Sequence, residues 1–188
     1  MDHTQKSNHE PAYHYTPSPQ MADKLATNRT GQLTKAQRLP ITIAAIFTGS
    51  GFLGMLLITG GTILGLIETL EFTGVFGLIT LFFSTAALLF ILAVLWVNAQ
   101  MFVPEALNQK PVRWSRGPLK TRKSARDRPE LPFSYIIDDY SFAPFVGPPD
   151  VPLQKGRQYI VYYTARSRLL MSIAPIDQPD AEDWLPKD

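Results

Sequence analysis

Few residues in this 188-residue chain have the types and spacing that chemistry requires. Asp138-Asp139, with Glu130 upstream, supply carboxylates of the kind used in general acid–base catalysis. Consecutive strand residues point to opposite faces, however, so the two do not read as a catalytic pair. The histidines are His3, His9 and His14, all in a polar amino-terminal segment with no core to fix a metal, and they read as solvated. The absence of cysteine excludes disulfides, thiolate metal sites and cysteine nucleophiles. The run GSGFLG has the glycines of a phosphate loop but lies inside an apolar stretch, where glycine serves packing. Arg166 and Arg168 have the chemistry to hold a phosphate or an acidic partner, yet read first as a solvated turn. The expectation is a non-enzymatic protein with no catalytic, cofactor-binding or metal-binding residues.

Charge is distributed unevenly. From Lys110 to Arg128 there are eight basic residues against Asp127 alone, whereas the chain as a whole carries +2. Within that cluster Arg113, Trp114, Arg116, Lys120, Arg122 and Lys123 are the candidate lipid-contact residues. Basic residues beside a membrane segment are drawn to anionic headgroups by about 1 kcal/mol each. The same charges would suit nucleic acid, but the neighbouring sequence favours lipid, and no nucleic-acid partner is expected.

That neighbouring sequence consists of two uncharged runs, Ile41 to Ile67 and Val75 to Val97. Each exceeds the ~20 apolar residues needed to cross a bilayer. The connection Glu68–Gly74 is short enough to force an antiparallel hairpin, and it contains Glu68 and Glu71 but no Lys or Arg. The outer flanks carry Lys24, Arg29, Lys35 and Arg38 on one side and the basic cluster on the other. The positive-inside rule then places the loop outside and both termini in the cytoplasm. The polar groups in the spans are Ser and Thr, which bond their own backbone, so a transporter or proton relay is not indicated.

At 100° per residue, Ser50, Gly54, Gly61 and Gly65 fall within about 60° of one another. With Gly77 and Ser84 of the second span, they are the candidate helix-packing residues. Such a stripe either closes the hairpin or docks a partner helix, from another membrane protein or a second copy. Gly49 and Gly60 lie on a different side.

Beyond the spans, YIVYYT and LLMSIA alternate around ARSR and read as a β-hairpin that is apolar on both faces. It therefore requires further strands, expected over Ser134 to Ser141 and near Leu119 or Val151. The expected fold is a transmembrane α-helical hairpin plus a small cytoplasmic β module, a half-barrel of OB or SH3 type with roughly three to five strands. The organisation predicted is a disordered tail over 1–38, the hairpin over 39–103, a basic linker over 104–130, the β module over 131–176 and an acidic tail over 177–188.

This order of parts, ending in KGRQYIVYYTARSRLLMSIAP, resembles uncharacterised bacterial proteins with two transmembrane helices and a small β module. In layout it is similar to NfeD-like proteins. The resemblance covers about Ile41 to Pro175 and rests on organisation, so it transfers no functional residues. The expected location is a bacterial inner membrane, and the leading functional expectation is an accessory or scaffold subunit whose hairpin anchor holds the β module against the membrane for protein contacts. The alternative is a membrane-bound sensor or regulator that binds anionic lipid or an acidic ligand through the basic segment.

Overall fold

The computed structural model describes residues 14–122, 134–142, 151 and 153–186. These residues divide into two compact units.

One unit, residues 31–112 with 164–169, is built on a long helical run, Lys35–Leu107. Thr34 and Gln37 start the run with a reciprocal capping box, the Gln37 amide donating to Thr34 Oγ1 and the Thr34 amide to Gln37 Oε1. Gly74 breaks it, with φ of 55° and ψ of −136°, a backbone state that only glycine adopts readily. The break separates two helices of 34 residues, α2 (Lys35–Glu68) and α3 (Gly74–Leu107), each long and apolar enough to cross a membrane. The stretch expected to be a loop is helical almost to the bend.

The other unit joins residues 14–30 to the segments 113–163 and 170–188. Its core is a five-stranded sheet of order β3-β2-β1-β4-β5. The strands are β1 (Val112–Arg122), β2 (Ser134–Ile137), β3 (Tyr140–Phe142), β4 (Gln158–Thr164) and β5 (Leu170–Pro175). β1 is long because it serves two partners. Its far end pairs antiparallel with β2, Leu119 opposite Ile137, and the Leu119 amide also donates to the Arg157 carbonyl beside β4. Asp138-Asp139 forms the tight turn between β2 and β3, with Asp138 at φ of 50°. Gly117 lets that turn approach β1, since a Cβ there would meet the Asp138 amide nitrogen at 3.4 Å.

Both faces of β4 are buried, as its alternation requires. Tyr159, Val161, Ile160 and Tyr162 are almost wholly enclosed, and Val161 pairs with the equally buried Ile173 of β5. On one side Tyr163 stacks on Tyr140 with centroids 4.7 Å apart. The α1 helix (Pro19–Asn28) packs against β5. Ser18 caps α1 and Pro19 sits in its first turn, where the missing N–H costs nothing. Met21, Leu25 and Asn28 are its buried residues, and Asn28 Nδ2 donates to Ser172 Oγ at 2.7 Å. The carboxyl-terminal 3-10 helix, Pro179–Trp184, buries Ala181 and Trp184, and the Tyr162 hydroxyl donates to the Trp184 carbonyl. Burial raises the Tyr162 pKa well above the normal phenol value, opposed in part by Arg29, so the hydroxyl stays a neutral donor.

Three of the expected boundaries change. Disorder over 1–38 does not hold for residues 14–38, which form α1 and the start of α2; the rest of that tail lies outside the described residues. Hydrophobicity averaged over the segment is low, but Met21 and Leu25, one turn apart, give α1 an apolar edge that β5 covers. The basic linker over 104–130 contains the end of α3 and all of β1, leaving four residues between them. The expected acidic tail contains the 3-10 helix Pro179–Trp184, because Ala181 and Trp184 have a sheet unit to bury against.

Candidate functional site

The apolar surface of α2 and α3 is turned outward. Phe47 is 72% exposed, Leu57 78% and Phe76 82%, and many more Leu, Ile and Phe side chains along both helices are open. The arms meet through Gly49, where a Cβ would lie 3.5 Å from Val103 Cγ2, and through Gly51, 3.5 Å from Leu95 Cδ2. Phe52 packs on Trp96 with centroids 5.0 Å apart. Toward the bend an apolar cleft of about 560 Å³ opens between the arms, lined by Ile63, Leu78, Phe82 and Thr85 among others.

This reassigns the small-residue stripe. At Gly54, Gly61 and Gly65 a Cβ would meet nothing within 4 Å, and Ser50 is exposed, its hydroxyl bonded to the Ile46 carbonyl of its own helix at 2.7 Å. The glycines with a side chain of the opposite arm at contact distance are Gly49 and Gly51, outside that stripe. Helical periodicity finds which residues share a face; it does not say which face meets α3. Gly77 and Ser84 on α3 are half-buried.

The basic cluster divides between a strand and the segment that follows it. Arg113, Trp114, Arg116, Lys120 and Arg122 are exposed on β1, whereas Lys123 lies outside the described residues. Alternation along the strand puts Trp114, Arg116, Lys120 and Arg122 on one face and Arg113 on the other. The Arg116 guanidinium carbon lies 6.0 Å from the Trp114 ring centroid, the outer range of a cation–π contact. On the opposite face Ser115 and Leu119 are buried, and Ser115 Oγ donates to Asp138 Oδ2 at 2.9 Å.

Glu105 does not stand out in the sequence. It is almost completely buried near the end of α3 and holds the β4–β5 turn. Its Oε1 accepts from the backbone amides of Arg166 at 2.6 Å and Ser167 at 2.8 Å, and its Oε2 from Ser167 Oγ at 2.7 Å. Ser167 Oγ in turn lies 2.7 Å from Thr164 Oγ1, which accepts from the Leu169 amide. Arg166 Nη1 donates to the Gln100 carbonyl at 3.2 Å. The turn expected to be solvated is therefore docked, and residues 164–169 belong to the helical unit. A lone glutamate in Val-Pro-Glu-Ala-Leu gives no local sign of this; the cue available was a carboxylate directly after an apolar span.

Asp138 is engaged by Ser115, and Asp139 is exposed in the turn. His14 lies 3.4 Å from Asp180, both largely exposed. Among the described residues no group of histidines and carboxylates gathers as a metal site. No known protein family matches the chain, and neither a curated protein nor a solved structure resembles it significantly.

Proposed function

We propose that the chain is a two-span membrane protein whose hairpin anchors a small β module on one side of the bilayer, where it acts as an accessory or scaffold subunit. The observation that carries this reading is the open apolar surface of α2 and α3. None of the most apolar window of α3 is buried, and only 17% of that of α2 is, so these are not core helices of the fold described. An apolar surface of that extent requires lipid or an equivalent cover.

The folding of α1 together with the sheet adds a constraint on topology. One segment precedes the hairpin and the other follows it, yet they form one unit, which supports an even number of crossings. Lys35 and Arg38 at the start of α2, against Glu68 and Glu71 between the spans, favour the cytoplasm for that unit.

The chain has no cysteine, so single sites report cleanly. The protein should remain in the membrane fraction after alkaline extraction. Thr69→Cys should react with an impermeant thiol reagent in intact cells, and Ser124→Cys should react only after lysis. Release by alkali, or the reverse labelling, would refute the proposal.

A further inference from the structure

We infer that the face of β1 carrying Trp114, Arg116, Lys120 and Arg122 is a contact surface for anionic phospholipid headgroups. This rests on the membrane reading above and specifies the partner of the module. A flexible basic linker would bring all its cations to a surface on equal terms. A strand does not: alternation presents Arg116, Lys120 and Arg122 together and turns Arg113 away. At ~3.3 Å per residue, Arg116 and Arg122 have their backbone positions about 20 Å apart along one strand, so little backbone order remains to be imposed on binding. Opposite Lys120 on β2 is Ile136, which places no charge beside it. Trp114 ends the row, an amphipathic ring suited to the headgroup layer, with Arg116 beside it. Four residues separate Leu107 of α3 from Val112 of β1. A fully extended connection of that length spans at most about 18 Å, so the first residue of β1 cannot be farther than that from the end of α3.

The test uses the full chain in bilayer discs, either neutral phosphatidylcholine or about one-third phosphatidylglycerol. A fluorophore at Pro118→Cys, on the same strand face, reports access to an aqueous quencher; Gln158→Cys, exposed on β4, is the second reporter. In anionic discs quenching should fall severalfold relative to neutral discs, and high salt should restore it. Arg116→Gln and Lys120→Gln should each weaken the contact about fivefold, the equivalent of one surface cation. Arg113→Gln should leave it unchanged. Equal quenching in both discs overturns the inference, as does an effect of Arg113→Gln equal to the others. Protection by a short RNA duplex in neutral discs, without protection by anionic lipid, would make this a nucleic-acid surface instead. A chain that integrates but stays fully quenched refutes only the headgroup contact, whereas a chain that leaves the discs refutes the membrane reading along with it.

Discussion

Removing the Glu105 carboxylate would leave two backbone donors and a serine hydroxyl without their acceptor in a partly buried site. Buried donors left unpaired cost about 1–3 kcal/mol each, an amount comparable to a large share of a small unit's stability. Glu105→Ala should therefore release the turn, and trypsin should cut after Arg166 and Arg168 in the detergent-solubilised protein. Glu105→Gln keeps one oxygen for the two amides and should be cut more slowly than the alanine variant. A turn that stays resistant in Glu105→Ala would show that the strands alone hold it. The Tyr162 hydroxyl illustrates a related rule: enclosed beside Trp184, it is kept as a neutral donor because a buried phenolate would lose its hydration.

For the helices, what matters is which glycine meets the opposite arm. Gly51 has Leu95 at contact distance, whereas Gly61 and Gly65 have open space. Gly51→Leu would force side-chain bulk into that contact and should destabilise the hairpin by about 1–3 kcal/mol, read as a lower melting temperature in detergent. Gly61→Leu combined with Gly65→Leu should leave the melting temperature unchanged. If the double variant melts as low as Gly51→Leu, the open stripe is packed in solution and the hairpin closes differently. The strands follow a similar rule, since β1 is basic on the face it leaves open and buried at Ser115 and Leu119 on the other.

Across the whole molecule, the chain folds its ends together around an inserted hairpin. The sheet unit takes α1 from before α2, and Leu25 of that helix is fully enclosed. Leu25→Asp would bury an unpaired charge and should cost several kcal/mol. The sheet should then become protease-sensitive while the helices still insert, as measured by limited proteolysis of membranes. Retained resistance would mean that the sheet is stable without α1. A truncated chain that lacks α1 is expected to fail in the same way, because β5 would lose its cover.

Several features were determined by sequence alone, for local reasons. Two long uncharged runs mark helices of spanning length by length and composition, and the β-formers on either side of ARSR mark a buried hairpin, because both cues are local to the segment that carries them. The cues for α1 were present too, in Ser18-Pro19 and in Met21 with Leu25, but they are weak without knowing what the edge packs on. What tertiary structure decided is long-range. It turned part of a basic linker into a strand, separated Arg113 from Arg116, and chose Gly51 over Gly61 as the glycine that meets the other helix. It also seated a turn on Glu105, some 61 residues earlier in the chain. Those choices depend on which surfaces meet after the chain has closed, and spacing along the chain carries no record of that.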